Sequence, residues 1–545
     1  MSADSFLKHA RTFAGLTLVS RVLGLVRDAV IVRLLGVSGL GTAFNIAFQF
    51  PNTFRRLFGE GALSAALIPE YARLLKSDPA RSHRFASLTV ALLGAGLGAL
   101  TLLLVAALGA ALALGDFSEN GRRALVMLAI MLPYMPLVCV TAALGGMLQT
   151  HGRFAAQAGA PIILNLFMIA AAVGGSRVIG ADPPATALMV CAAVTLAGIA
   201  QVFWCLRDLR AVATWTRSFD GAGENVRRML RKMGPVVIGL GAIQLATLLE
   251  SWVLISWPLY MGPTIAGRPY PLDEAAGAAL GNAQRLYQFP LGIFGIALAT
   301  AVFPLLARQA DDGPAFVTTL RQSLRLALFI GLPSTLGLWW VAHDLTAVVF
   351  LGGNVSAEGA ARMAECLRAY AWVVGSYSVT HVLTRAFYAK GDTTTPSRVS
   401  VLCVFAGLAL GAGLMFPYAE RGLAIGSSIG AVMHLVVLLR LGQKRLASRD
   451  AALFDRQTIV GIARTVVVSL VMLAALAAWR DSPLIATPQN WGGHAVRLAA
   501  EVTLGVLAFG AAALALARQE VRWMLDRRSR PRVTNPKLTE PTTPE

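Results

Sequence analysis

The chain has 545 residues, of which 56% are hydrophobic and only 14% are charged. Soluble globular proteins have about 25% charged residues, so this composition excludes that class. The net charge of +19 does not indicate nucleic-acid binding, because the basic residues lie in alternate loops between apolar segments. Charge-free runs such as Phe85–Gly115 exceed the ~20 residues that are needed to cross a bilayer. We therefore predict an all-α polytopic membrane protein.

The apolar segments predict about fourteen transmembrane helices. In chain order they cover residues 12–35, 39–68, 85–115, 124–150, 157–179, 184–206, 234–260, 279–307, 322–350, 364–389, 397–417, 422–440, 457–479 and 495–517. Loops rich in lysine and arginine alternate with loops that have few, which is the asymmetry produced by positively charged cytoplasmic loops. This pattern predicts that both the N-terminus and the C-terminus are cytoplasmic.

Two of these segments carry charges that are costly inside a membrane. The first segment contains Arg21, Arg27, Asp28 and Arg33, and the second contains Arg55, Arg56 and Glu60. One charged side chain at the centre of a spanning helix costs about 2.5–3.5 kcal/mol on insertion scales. These side chains must therefore face water, one another or a ligand, and we interpret them as functional.

The spacing of these charges predicts how they are arranged. Arg21 and Asp28 share one helix face, because seven residues make nearly two turns, and Arg27 lies about 120° away at the edge of the same cavity. Arg56 and Glu60 have the i, i+4 spacing of an ion pair. The alternative interpretation is that Arg21–Asp28 and Arg56–Glu60 are purely structural ion pairs.

The choice of arginine indicates the chemistry of the ligand. A guanidinium is always charged, and its forked donors match the geometry of phosphate oxygens. Arg285 in the eighth span adds a further cation in the opposite half of the chain. We predict that Arg21, Arg27, Arg55 and Arg285 bind a diphosphate or another polyanionic headgroup, with Asp28, Arg56 and Glu60 as ion-pairing residues of the same cavity.

Glu250, mid-way along the seventh span, has no obvious local partner. An isolated intramembrane carboxylate is a candidate site for a cation or proton that is coupled to transport. An equal alternative is an ion pair with an arginine across the interface between the two halves. Coupling to a monovalent cation or to the membrane potential therefore stays open.

The sequence has no enzyme signature and predicts no cofactor or metal site. No zinc-protease or nucleotide-binding motif is present in the 545 residues. The five cysteines lie in apolar segments without metal-ligand spacing, so we interpret them as core residues: Cys139, Cys191, Cys205, Cys366 and Cys403.

An internal repeat predicts the domain organisation. The tripeptide Gln-Phe-Pro at 49–51 recurs at 288–290, and other landmarks recur at nearly the same offset. Two six-helix lobes related in this way are a transporter architecture, with the substrate site between them. We predict an N-terminal lobe at 1–218, a C-terminal lobe at 219–446 that begins with a short interfacial helix at 219–232, spans 13 and 14 at 447–518, and a basic cytoplasmic tail at 519–545.

The charged motifs resemble a known family. They are SRVLGLVRD at 20–28, FPNTFRRLFGEGA at 50–62, RLYQFPLGIFG at 285–295 and FYAKGDT at 387–393. With them, essentially the whole chain resembles the MurJ (MviN) family of bacterial lipid II flippases, in the MATE-like exporter superfamily.

The resemblance implies a function and the roles of several residues. The substrate would be lipid II, the undecaprenyl-diphosphate-linked peptidoglycan precursor, moved from the cytoplasmic to the outer leaflet of the bacterial inner membrane. Arg21, Arg27, Arg55 and Arg285 would be the cavity arginines, Glu60 the carboxylate of the second helix, and Glu250 a coupling-ion residue. Spans 13 and 14 would form a groove for the lipid tail. Membrane lipids and cell-wall synthesis proteins are the implied partners.

This chain departs from the family pattern at two positions. Many members have an acidic residue where this chain has Thr42, and some have glutamate where it has Gln288. These two differences leave fewer cavity carboxylates for proton coupling.

Three rival functions share part of the evidence. A flippase for another polyprenyl-diphosphate oligosaccharide would need the same cationic cavity. A multidrug or cation antiporter would instead need an acidic or aromatic cavity. A membrane glycosyltransferase needs a catalytic carboxylate in an outer loop, for which Asp273 and Glu274 are the adjacent pair.

Overall fold

The computed structural model describes residues 3–57, 63–447, 452–482, 488 and 490–525, which are almost entirely helical. Among these residues, nine helices are long and apolar enough to cross a membrane. The chain is therefore an all-α, multi-pass membrane protein, as the composition predicts.

The first half of the chain forms eight helices. They are α1 (Ala3–Leu35), α2 (Gly39–Phe54), α3 (Leu63–Ser77), α4 (Pro79–Leu114), α5 (Glu119–Met131), α6 (Tyr134–Thr150), α7 (Ala155–Val173) and α8 (Pro183–Leu209). A π-helical turn at Gly174–Ile179 extends α7.

The second half forms the remaining described helices. They are α9 (Ala222–Leu249), α10 (Trp257–Tyr260), α11 (Ala276–Pro290), α12 (Ile296–Arg308), α13 (Gly313–Phe350), α14 (Ala357–Ala389), α15 (Thr394–Tyr418), α16 (Glu420–Arg445), α17 (Arg456–Arg480), α18 (Trp491–Leu516) and α19 (Arg518–Leu525). π-Helical turns at Glu250–Ile255 and Leu291–Gly295 follow α9 and α11. A hairpin of β1 (Thr264–Ile265) and β2 (Arg268–Pro269) pairs Thr264 with Pro269 in the α10–α11 loop.

Each of the fourteen predicted spans coincides with one helix or with a succession of helices. The second span comprises α2 and the start of α3, and the fourth comprises α5 and α6. The seventh and eighth are interrupted by π-helical turns. These interruptions lie in or beside the segments that carry Arg55, Glu250 and Arg285, so the irregular backbone accompanies the charged side chains.

Local capping explains where several helices begin. Asp78, Asp182 and Asp312 each accept a hydrogen bond from the backbone N–H three residues later, at 2.9, 2.8 and 3.1 Å. A proline follows each of them in the first turn, where its missing N–H has no cost. Asp78 and Asp312 begin helices at corresponding positions of the predicted repeat.

Helix packing follows the order of the chain. In the first half, α7 packs against α1 and α8, and α2 packs against α5. In the second half, α14 contacts α11, α12, α13 and α16. Contacts between the halves join α2 to α11, and α9 to α3 and α4.

Buried ion pairs fasten the last two spans to α13 at both of its ends. Near one end, Arg325 forms a buried ion pair with Glu520 of α19. Near the other end, Asp344 is fully buried and accepts hydrogen bonds from Arg497 of α18 at 2.9 Å, with His494 at 2.7 Å. The pair α17–α18 is thus attached to the second half of the protein.

The prediction of a separate interfacial helix at 219–232 is wrong. The structure has one continuous helix, α9, from Ala222 to Leu249. Val226, Met229 and Met233 of its first half are buried in a core formed with α3, α4 and α6. The amphipathic pattern that suggested a membrane surface is therefore satisfied by protein packing.

Other surfaces and side chains agree with the predictions from the sequence. Only 6% of the most apolar stretch of α4 is buried inside the protein, so most of this helix is left to contact lipid. All five cysteines are buried and unpaired, as expected for core residues.

Candidate functional site

The centre of the candidate site is the carboxylate of Asp28, which is buried on α1. Its Oδ1 atom accepts hydrogen bonds from Arg27 Nε at 3.0 Å and from Arg27 Nη2 at 2.7 Å. Arg285 Nη1, from α11 in the other half, donates to the same oxygen. Two guanidinium groups thus share one carboxylate, which leaves one surplus positive charge.

Two asparagines fix the orientation of these guanidinium groups. Asn165 of α7 accepts a hydrogen bond from Arg27 Nη1 at 2.9 Å, and its own amide donates to the Ser20 carbonyl at 3.1 Å. Asn45 of α2 accepts from Arg285 Nη2 at 3.0 Å. Because these partners are neutral, they orient the cations without neutralising them.

Arg21 lies seven residues before Asp28 on α1, which corresponds to about 10 Å along the helix axis toward its N-terminus. Its guanidinium lies against Gly292 in the π-helical turn after α11, so close that a Cβ atom at Gly292 would be 2.2 Å from Arg21 Nη1. Gly292 therefore provides the space for this side chain. No described carboxylate pairs with Arg21, so the alternative of an Arg21–Asp28 ion pair is wrong for the described residues.

Arg55 and Arg56 follow α2, about 15 Å along the helix from Asn45. Arg55 Nε donates to Asn52 Oδ1 at 2.8 Å, and the side chain of Tyr134 lies within electrostatic range of both Arg55 and Arg27. Arg56 is exposed. Glu60, its predicted partner, lies outside the described residues.

Arg27 and Arg285 meet at Asp28. By helix rise, Arg21 and Arg55 are displaced from that level by about 10 and 15 Å toward the same end of the helices. We refer to this set, Arg27, Arg285, Arg21 and Arg55, as the arginine column.

The N-terminal and C-terminal halves of the chain are joined by hydrogen bonds at one end of the helices. This is the end where α1 turns into α2, at residues 36–38. Thr42 Oγ1 accepts from the Ala278 N–H at 2.9 Å in the first turn of α11, and Asn120 donates to Glu274 at 2.6 Å. On the same side, Arg33 Nη2 donates to the Val348 carbonyl at 3.1 Å. Access to the arginine column is thus restricted at this end, which we call the α1–α2 end.

Glu250 begins the π-helical turn after α9. Among the described residues it has no ion pair, so the alternative of an arginine partner across the interface finds no support there. Tyr287 and Tyr370, whose rings are 5.2 Å apart, lie within electrostatic range of its carboxylate. The surroundings of Glu250 therefore include aromatic side chains.

Asp273 and Glu274, the pair considered for glycosyl transfer, both have structural partners. Asp273 accepts two hydrogen bonds from Arg362, each of 2.9 Å, while Glu274 accepts from Asn120. These contacts brace the α10–α11 loop and give both carboxylates a structural role.

A model of the family described as "Lipid II flippase MurJ" matches residues 31–492, which is most of the chain. The chain belongs to the lipid II flippase MurJ family. One relative, "Probable lipid II flippase MurJ" of Rhizobium tropici, is 31% identical over 476 residues, covering 84% of this chain and 86% of that protein. The corresponding protein of Vibrio cholerae is 29% identical over 535 residues, covering 94% of this chain and 96% of its own length.

Solved structures show the same fold. A structure described as "Lipid II flippase MurJ, inward closed conformation" has a TM-score of 0.74 at 20% identity, covering 94% of this chain and 99% of that one. An inward-facing multidrug resistance MATE transporter has a TM-score of 0.60 at 14% identity, covering 80% of this chain and 98% of the transporter. The family and the MATE-like fold expected from the charged motifs are therefore confirmed, and the chain belongs to a family of transporters.

The structure shows where the two residues that depart from the family pattern, Thr42 and Gln288, are located. Thr42 is fully buried and supplies a hydroxyl acceptor to the start of α11. Gln288 is exposed on α11. Sequence reasoning missed Asn45 and Asn165, although an amide side chain within an apolar span is a signal that could have drawn attention to both.

Proposed function

We propose that the protein translocates lipid II from the cytoplasmic to the outer leaflet, and that the arginine column binds the diphosphate of its headgroup. Membership of the MurJ family supports the substrate. The observation that carries the binding role is the sharing of Asp28 Oδ1 by Arg27 and Arg285. One carboxylate cannot neutralise two guanidinium groups, so this site favours an incoming anion.

The orientation follows from the basic loops. With both termini in the cytoplasm, the α1–α2 end faces outward and the arginine column extends from Asp28 toward the cytoplasm. A diphosphate that enters from the cytoplasmic side would meet Arg55 and Arg21 before it reaches Arg27 and Arg285. The hydrogen bonds at the α1–α2 end keep the outer side closed during this step.

Alternating access would then move the substrate. The lobes 1–218 and 219–446 would rock about the site, separating Thr42 from Ala278 and opening the outer side. Because Arg285 belongs to the second lobe and Arg27 to the first, a bound diphosphate contacts both moving parts. The polyprenyl tail would stay in lipid beside α17 and α18, and cell-wall synthesis proteins would receive the product.

Glu250 is our proposal for the coupling site. A carboxylate in an aromatic setting, without an ion-pair partner among the described residues, can exchange a proton or hold a monovalent cation. The membrane potential would bias the movement of any net charge.

The test is complementation of a flippase-depleted bacterium combined with an assay of lipid II in the outer leaflet. We expect the wild type to restore translocation and Arg27→Ala and Arg55→Ala to fail at matched expression. Arg122→Ala is the control, because Arg122 is an exposed arginine at the start of α5, away from the column and from α17 and α18. Insertion without lipid II movement would refute the substrate and favour another polyprenyl-diphosphate oligosaccharide; full activity of both variants would refute the role of the column.

A further inference from the structure

A second cationic site lies on the second half of the protein, away from the arginine column. A groove of about 790 Å³ is formed by α13, α14 and α16. Its walls include Trp339 of α13, Trp372 of α14 and an apolar face of α16 from Ile425 to Val437. Both tryptophans are more than one-third exposed, so the groove is open along its side.

Charged residues mark the two ends of this groove. One end of the groove, on the same side of the protein as the α1–α2 end, is lined by Glu365, Arg368 and Arg421. The opposite end is lined by Arg440. Arg421 and Arg440 are nineteen residues apart on one helix, which corresponds to about 28 Å. This length is close to the ~30 Å thickness of the hydrocarbon core of a bilayer. The groove thus runs along the membrane normal with a cation at each boundary.

At the end toward the α1–α2 end, one carboxylate holds two guanidinium groups together. Glu365 Oε1 pairs with Arg368 Nη1 at 2.9 Å, and Glu365 Oε2 pairs with Arg421 Nη2 at 3.3 Å. Each guanidinium has five N–H donors, so most of them remain available. The Nε–H of Arg368 is buried and has no hydrogen-bond partner among the described residues. The trio has one surplus positive charge.

We propose that this groove is a binding site for an anionic glycerophospholipid. The phosphate would lie between Arg368 and Arg421, where forked donors match its oxygens and the surplus charge is neutralised. The acyl chains would lie along α16 between Trp339 and Trp372. Arg368 already stacks on Trp339, with 5.6 Å between the guanidinium carbon and the ring centroid, which fixes its plane at the mouth of the groove.

The charge of the trio predicts selectivity between lipids. A phosphatidylglycerol carries one negative charge, which the surplus cation attracts. A phosphatidylcholine carries the same phosphate and a quaternary ammonium, which the two arginines repel. Preference for the anionic lipid at equal chain length is therefore the signature of this site.

The experiment uses the full-length protein in detergent, with dioleoyl-phosphatidylglycerol and dioleoyl-phosphatidylcholine as probes. Native mass spectrometry counts the bound lipids, and thermal unfolding with and without lipid provides a second readout. We expect the wild type to retain phosphatidylglycerol in preference to phosphatidylcholine. Arg421→Gln should weaken this retention about tenfold, the effect of losing one charge-assisted hydrogen bond.

Two further variants complete the test. Arg421 is half-exposed and makes one 3.3 Å ion pair, so its replacement leaves the fold intact. Arg122→Gln, an exposed arginine at the start of α5, is the matched control and should bind like the wild type. Trp372→Leu should reduce retention of both lipids. Equal retention of the two lipids by the wild type would overturn the proposal. Equal retention of phosphatidylglycerol by the Arg421 and Arg122 variants would overturn it as well. So would displacement of the bound phosphatidylglycerol by a polyprenyl phosphate alone.

Discussion

Replacing Asp28 with asparagine tests the logic of the arginine column most directly. In the wild type, Asp28 Oδ1 takes three donors, two from Arg27 and one from Arg285. A diphosphate must compete with this carboxylate for the same N–H groups. Asp28→Asn keeps the size of the side chain but removes its charge, so both guanidinium groups become available to the ligand.

The magnitude follows from the bonds that the ligand no longer has to displace. A hydrogen bond to a charged group contributes about 1.5–3 kcal/mol. Freeing one of them should tighten diphosphate binding by roughly 10- to 100-fold. Transport should nevertheless fall, because a substrate that binds too tightly is released slowly, and because two uncompensated cations destabilise the closed arrangement of the halves.

The assay measures binding and transport on the same preparations. Binding of a polyprenyl diphosphate to the purified protein gives the dissociation constant, and the outer-leaflet assay gives translocation. Arg27→Gln is the paired variant, for which weaker binding is expected. If folded Asp28→Asn protein binds the diphosphate no more tightly than the wild type, the carboxylate is not a competitor of the ligand and the reasoning fails.

Three further predictions concern contacts outside the arginine column. Thr42→Val leaves the Ala278 N–H without its acceptor, at a cost to the closed state of about 1–3 kcal/mol. A cysteine introduced as a reporter by Asn45→Cys should then react faster with a membrane-impermeant thiol reagent. An unchanged rate would contradict closure at the α1–α2 end. Asp344→Asn removes the buried partner of Arg497 and should destabilise the protein by about 3–5 kcal/mol, seen as a lower thermal midpoint than that of the exposed control Asp481→Asn. Burial raises the pKa of Asp273, but the hydrogen bonds from Arg362 outweigh it, so the pKa is lowered below its usual 3.8; the stabilising effect of Asp273, relative to Asp273→Asn, should be constant at neutral pH and disappear as the pH falls below about 4. A stabilising effect of Asp273 that did not decline as the pH fell would refute that ion pair.

The outcome for α9 shows why amphipathic segments are hard to interpret without a structure. Basic residues beside Val226 and Met229 fit a helix on anionic lipid as well as a helix on protein. Only the neighbouring helices decide which apolar surface covers that face, and here it belongs to α3, α4 and α6. The wrong prediction arose because the pattern specifies a buried face but not the partner that buries it.

The sequence by itself determined the membrane class, the positions of the spans and the importance of the intramembrane arginines. These are local properties, since the length of an apolar run and the cost of a charge in hydrocarbon do not depend on distant residues. The family motifs at 20–28 and 285–295 are local as well. The pairing of Asp28 with Arg285, 257 residues away, was decided only by tertiary structure. The same holds for Asn45 and Asn165 as partners of the arginines and for the acceptor role of Thr42, because each contact depends on which helices pack together and at what depth.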